Sequence, residues 1–206
     1  VVTFTGTGSN ETVAHGLSAE PYLLLTKCRE SGFNWAVYHQ NTGNTGRWML
    51  NNTLAFDVSS TFWNDTTPTS SIFSIGSFFA NTKTFVAYCF APVEGYSKFG
   101  TYIGNGSTDG TYVYLGFKPR FLLLRNASVA GNDWKIFDGG RDPDNVVTQV
   151  LSPNSTSAEL FNTGLDFLAN GFKWRDSGSA QNGNGNEIIY AAFAENPFQA
   201  NGGLAR

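Results

Sequence analysis

Carboxylates crowd together at one point of the chain, Asp138-Gly139-Gly140-Arg141-Asp142-Pro143-Asp144-Asn145. Three acidic side chains so close can ligate Ca²⁺ through oxygen, which makes Asp138, Asp142 and Asp144 the candidate metal ligands. The spacing lacks the closing bidentate Glu of an EF-hand loop, and Arg141 supplies an internal counter-ion. A polar turn held by Arg–Asp pairing is therefore expected there, with no metal and no other cofactor. The two histidines are His15, in a turn before Gly16-Leu17, and His39, at the end of an apolar run. Neither has a His, Cys or Glu companion at zinc-ligand spacing, and both read as surface or strand-end residues. A Ser-His-Asp triad assembles in space and leaves no fixed order in sequence, but no Gly-x-Ser-x-Gly elbow supports one. The sequence singles out no facing carboxylate pair such as a glycosidase needs. Gly6-Thr7-Gly8 and Gly104-Asn105-Gly106 follow extended segments, yet no helix signal follows them, so they read as turns and not as phosphate cradles. The expected protein is not an enzyme.

Aromatic residues are the remaining candidates. Trp35 and Trp134 sit in similar contexts, Asn34-Trp35-Ala36-Val37-Tyr38 and Asp133-Trp134-Lys135-Ile136-Phe137, and are expected in the core. Trp48, Trp63 and Trp174 stand beside polar loops. An exposed Trp among Asn and Asp can stack on the apolar face of a pyranose while amides bind its hydroxyls, so these three are the candidate glycan-binding residues. The alternative is that they close the ends of the fold.

The elements that must carry these residues read as β almost throughout. Apolar runs are short, rich in aromatic and β-branched residues, and bounded by Gly, Asn, Ser and Pro. Leu23-Leu24-Leu25 and Phe121-Leu122-Leu123-Leu124 are continuous, as in strands covered on both faces. Residues 35–39 alternate as on a half-buried strand. Residues 41–46 and 181–186 carry turn signals, and Ser157-Ala158-Glu159-Leu160-Phe161 is the one stretch expected to form a helical turn.

The chain also resembles itself. Thr3-Phe4-Thr5-Gly6-Thr7-Gly8-Ser9 returns as Thr101-Tyr102-Ile103-Gly104-Asn105-Gly106-Ser107, a spacing of 98 (Thr3 to Thr101). Pro21-Tyr22-Leu23-Leu24-Leu25 returns as Pro119-Arg120-Phe121-Leu122-Leu123 at the same spacing. The Trp35 and Trp134 blocks lie 99 apart, Ile72-Phe73-Ser74-Ile75 aligns with Gly171-Phe172-Lys173-Trp174, and Phe90 aligns with Phe193 at 103. Ordered self-similarity of this kind signals a repeated unit, and the drift in spacing marks loop insertions. The fold class expected is all-β, two tandem β-sandwich, jelly-roll-like repeats over residues 1–97 and 98–206.

Composition narrows the setting. Only 14% of the 206 residues are charged, against roughly 25% in ordinary globular domains, and Asn, Thr, Ser and 23 glycines take their place. The 13 Lys and Arg form no dense patch and the net charge is −3, which leaves no electrostatic footprint for nucleic acid. No apolar run reaches the roughly 20 residues of a membrane span. Cys28 and Cys89 read as small core hydrophobes, a disulfide being the alternative. Asn-x-Ser/Thr triplets begin at Asn10, Asn51, Asn64, Asn105, Asn126 and Asn154, a consequence of composition unless the chain is secreted.

Several blocks resemble a module of bacteriophage virion proteins, tail and fibre proteins of marine phages especially. They are residues 5–17, the Trp35-Ala36-Val37-Tyr38-His39 block, Glu94-Gly95-Tyr96-Ser97-Lys98-Phe99-Gly100, Gly116-Phe117-Lys118-Pro119, and residues 166–173 and 192–198. The ending Gly202-Gly203-Leu204-Ala205-Arg206 is similar to the C-terminus of such chains, which implies the distal part of a longer fibre. The resemblance implies a place, an extracellular virion appendage, and transfers no catalytic residue. It implies self-association, contact with other virion proteins, and contact with a host surface polysaccharide. The function expected is a structural or adhesive virion module, with a glycan-binding module as the alternative.

Overall fold

The computed structural model describes residues 1–196. The end of the 192–198 block and the segment 202–206 lie outside the described residues. The chain divides into two compact units, Val1–Ala91 and a second beginning at Pro92, so the division falls ahead of the expected boundary between residues 97 and 98.

The first unit contains β1 (Val2–Thr5), β2 (Glu11–Ala14), β3 (Leu23–Cys28), β4 (Ala36–His39), β5 (Gly43–Met49), β6 (Asp57–Val58), β7 (Ile72–Ile75) and β8 (Thr84–Phe90). One sheet runs β1-β8-β3-β4-β5-β6, and β2 pairs with β7 in a second. Every pairing among these strands is antiparallel. Their inner faces meet in one apolar cluster: Val13, Phe73 and Ile75 from the small sheet lie against Leu24, Tyr38, Phe85 and Ala87 from the large one. Both cysteines are free and buried in this cluster.

The second unit contains β9 (Ser97–Ile103), β10 (Tyr112–Tyr114), β11 (Pro119–Asn126), β12 (Lys135–Asp138), β13 (Val147–Val150), β14 (Leu160–Leu168), β15 (Gly171–Trp174), a short helix α1 (Ser179–Asn182) and β16 (Glu187–Ala194). The eight strands form two four-stranded sheets, β12-β11-β16-β9 and β10-β15-β14-β13. Leu122, Leu124, Phe137, Ile188 and Tyr190 of one sheet face Val113, Leu165, Phe167, Phe172 and Trp174 of the other. Each unit is thus an all-β sandwich, with apolar side chains alternating inward from both sheets.

The two units pair equivalent strands in the same order. β1-β8-β3-β4 of the first matches β9-β16-β11-β12 of the second. The rungs match as well. Phe4 stands opposite Phe85, and Tyr102 opposite Ile188. Leu24 lies between Cys89 and Tyr38, and Leu122 between Ala192 and Phe137. Val13 faces Phe73, and Val113 faces Phe172.

Four local expectations are corrected. β4 is buried along its whole length instead of alternating, so both of its faces are covered. Trp35 is only half-buried and stacks on the part-exposed ring of Tyr88 at 6.3 Å. Residues 157–161 form no helical turn. Leu160 and Phe161 open β14 instead, where pairing with β13 outweighs a weak local helix preference. The turn expected over residues 41–46 is mostly strand, since β5 begins at Gly43.

Candidate functional site

The three candidate glycan-binding tryptophans are closed off from solvent. Trp48, Trp63 and Trp174 are 2%, 1% and 0% exposed. Trp48 donates its indole N–H to Thr42 Oγ1 at 3.2 Å and packs on Phe56. Trp63 meets Tyr38 edge-on at 5.9 Å and Phe79 at 5.8 Å. Trp174 donates to the Tyr102 hydroxyl at 2.8 Å and meets Phe137 edge-on at 5.5 Å. A pyranose needs an open ring face, and none of these offers one. All three are buried, and Trp63 and Trp174 belong to the apolar clusters of their units. Trp48 and Trp174 fold inward near the ends of β5 and β15 while their sequence neighbours form the loops, and Trp63 folds inward from the loop between β6 and β7 itself.

The acidic loop binds itself. β12 ends at Asp138, whose Oδ1 accepts the Gly140 N–H at 2.6 Å and whose Oδ2 lies 3.6 Å from Arg141 Nε. Arg120 approaches Asp138 from β11 at 4.0 Å. Asp142 Oδ2 accepts the Thr148 and Gln149 N–H groups at 2.6 and 3.1 Å, and the Thr148 hydroxyl at 3.3 Å. Arg141 also pairs with Glu159. Asp144 stands apart, lining a cavity of about 110 Å³ with Lys118 and Glu195, which themselves pair at 2.9 Å. Among the described residues no three His, Cys, Asp or Glu side chains gather as a metal site. Asp138 and Asp142 are engaged by backbone donors and guanidinium groups, and the loop is a polar turn.

Both histidines are buried and structural, not at the surface. The Leu17 N–H donates to His15 Nδ1 at 3.2 Å, so His15 Nε2 carries the proton and donates to the Thr69 carbonyl at 3.0 Å. His39 Nδ1 accepts the Asn41 N–H at 3.3 Å and caps the turn into β5.

Two of the Asn-x-Ser/Thr asparagines act as matched staples. Asn51 Oδ1 accepts the Trp35 N–H at 2.9 Å, and its amide donates to Asn34 at 2.8 Å. Asn154 Oδ1 accepts the Trp134 N–H at 2.9 Å, and its amide donates to Asp133 at 2.6 Å. The glycine turns are matched too. Gly6 donates to Lys83 O, Gly8 donates to Phe79 O and Gly6 O accepts from Thr82; in the second unit Gly104 donates to Asn186 O, Gly106 donates to Asn182 O and Gly104 O accepts from Gly185. A Cβ at Gly6 would stand 2.3 Å from Phe79 O, and one at Gly104 2.3 Å from Gly183 O. Only glycine permits this backbone-on-backbone approach. In the second unit Asn182 completes the hook: its amide donates to Asn105 Oδ1, Ser107 O and Asp176 O at 2.8–3.0 Å.

Each unit also buries a guanidinium among aromatic rings. Arg47 lies between Phe62 and Phe78, 3.9 and 4.3 Å from their centroids. Burial lowers its pKa, and Asp57 at 3.5 Å opposes that shift. Arg125 lies 5.8 Å from the Trp134 ring, and burial brings it down to about 10.

A larger cavity, of about 650 Å³, opens in the second unit. Its wall comes from two stretches of chain, Pro92, Val93, Glu94, Gly95, Ser97 and Lys98 on one side and Tyr114, Leu115, Gly116 and Phe117 on the other. Neither wall was singled out by residue chemistry, because a lone Tyr, Lys and Glu carry no spacing signal.

These features define a class of β-sandwich protein whose polar side chains and close glycine contacts hold its loops. One family model, described as a domain of unknown function (DUF7483), matches residues 1–197, and the chain belongs to that family. The match runs through both units. No curated protein and no solved structure matches the chain.

Proposed function

We propose that the chain is a non-enzymatic structural and adhesive module of a phage virion appendage, a tail fibre, spike or related filament. In this reading it is two copies of one sandwich that assemble with further copies of themselves and with other virion proteins. The observation that carries it is an exposed apolar patch on the second unit. Leu151, Leu160 and Phe161 are exposed where the end of β13 meets the start of β14, Val150 standing opposite Leu160. Exposed apolar side chains grouped at one place invite another chain, and a symmetric homo-oligomer is the common way to cover them. A weakly charged Asn, Ser and Thr surface and loops held by internal hydrogen bonds fit the same role. So does the resemblance of residues 5–17, 94–100 and 116–119 to phage virion modules. Assembly into an oligomer would multiply weak host contacts.

The test is the mass of the purified chain in solution by light scattering, together with immunogold labelling of phage particles by an antibody raised against it. The reading expects an oligomer, labelling on an appendage, and loss of the oligomer in Phe161→Lys. A monomer that labels no particle overturns it.

A further inference from the structure

We propose that the larger cavity of the second unit is a binding site for an uncharged pyranoside, with Tyr114 as the stacking platform. The inference deepens the adhesive part of the function proposed above and rests on it. The cavity lies within the range usual for small-ligand sites. Its two walls come from residues 92–98 and 114–117, which the fold brings face to face.

The site is built. Val93 and Ser97 close a tight loop: the Ser97 and Tyr96 N–H groups donate to Val93 O at 2.9 Å, and the Val93 N–H donates to Ser97 Oγ at 3.1 Å. Lys98 crosses from this loop to the other wall, where its ammonium donates to the Tyr114 carbonyl at 2.8 Å and stands 5.2 Å from the Tyr114 ring centroid. One side of the ring is thereby held by a cation, yet Tyr114 remains 59% exposed. Gly116, at φ +88°, passes beside the ring, and a Cβ there would lie 3.6 Å from the Tyr114 hydroxyl.

The lining selects the ligand. Lys98 and Glu94 carry its two charges, of opposite sign, and among the described residues Glu94 enters no ion pair. A phosphate or polyanion would meet a carboxylate as well as a cation in the lining, and a purely apolar ligand would strand both. A neutral sugar ring satisfies all three groups: its C–H face stacks on Tyr114, while its hydroxyls donate to Glu94 and accept from Lys98. The first unit lacks the platform. Ala14-His15-Gly16 stands where Tyr114-Leu115-Gly116 stands in the second, on strands that pair alike, and His15 is pinned inward.

The experiment is an amide NMR titration of the intact chain with cellobiose, maltose, lactose and mannobiose, and with digalacturonic acid as the charged comparison, each to about 10 mM, a range that captures millimolar Kd values. At least one neutral disaccharide is expected to shift the amides of Gly95, Lys98, Tyr114 and Gly116 while leaving the first unit unmoved. Tyr114→Ala should weaken that binding roughly tenfold or more, Tyr114→Phe should retain most of it, and Glu94→Ala should weaken it severalfold. Thermal melts of each variant check that the fold survives. No shift with any neutral sugar, equal binding by a folded Tyr114→Ala, or binding of the acidic sugar alone overturns the proposal. The oligomer mass and particle labelling read the structural role independently, so a failure here leaves that reading standing.

Discussion

The two units share one strand order, β1-β8-β3-β4 and β9-β16-β11-β12, within sheets of different size, and they fill it differently. Tyr38 and Phe137 occupy equivalent rungs, each opposite a leucine of the central strand, and each meets a tryptophan edge-on. The first unit supplies Trp63 from the long loop between β6 and β7, whereas the second supplies Trp174 from β15 itself. A tryptophan thus reaches the equivalent aromatic rung from different places in the chain. By contrast, the asparagine staples and glycine hooks recur at matched positions. Packing tolerates substitution wherever total volume is kept, whereas a hydrogen bond to one particular backbone N–H, or an approach without a Cβ, does not. Between these units, the strictest requirements lie in the loop backbone and not in the apolar core.

The largest test of that comparison is in the core. Trp63→Ala and Trp174→Ala should each cost about 4 kcal/mol, read from urea melts. If either costs less than about 1 kcal/mol, the two tryptophans do not do equivalent work. The glycine hooks come next. Gly6→Ala and Gly104→Ala each force a Cβ against a carbonyl at 2.3 Å and should cost about 2 kcal/mol, in similar amounts. A neutral Gly104→Ala would show that the second hook can open where the first cannot.

The staples are smaller. Asn51→Ala and Asn154→Ala should each cost about 1 kcal/mol, with the N–H of Trp35 or Trp134 losing protection from hydrogen exchange.

The smallest effect separates the units by pH. Burial pushes the Cys89 thiol from 9.0 up to about 11, so the folded chain keeps a proton that the unfolded chain releases. Stability is unaffected below pH 9 and falls as pH rises from 9 towards 11. The second unit has no cysteine. Burial of Tyr190, from 10.0 to about 12, gives it a loss of the same sign that begins one pH unit later. Melting temperature against pH should therefore decline first for the first unit, and Cys89→Ala should delay the onset.

Much of the scaffold was legible in the sequence, because strand signals are local. Short apolar runs between turn residues marked most strands, and the spacings of 98 and 103 residues place Leu23 with Phe121 and Phe90 with Phe193 on equivalent rungs. The boundaries of β5 and β14 were not legible, since pairing and not propensity extends them. The candidate site was legible only in part. The acidic loop is the Arg–Asp turn that its composition suggested, but sequence gives no depth, so three buried tryptophans read as exposed. The cavity at Tyr114 stayed hidden because its walls approach only once β9 and β10 are placed. The matched asparagines left a signal that went unused: two triplets at equivalent positions, Asn51 and Asn154, among six that composition alone could explain.

The pairing of each unit's first strand with its last has a mechanical consequence. β1 runs against β8 so that Val2 faces Ala87, near the end of β8 at Phe90, and Ser97 at the start of β9 faces Phe193 near the end of β16. In each unit the chain therefore enters and leaves at the same end of one antiparallel ladder. Tension applied between those two points would load the rungs one at a time, as in a zipper, and not all together in shear. Such a unit yields to a weak pull along the chain, so a filament carrying it must route force through contacts between subunits and not along the polypeptide.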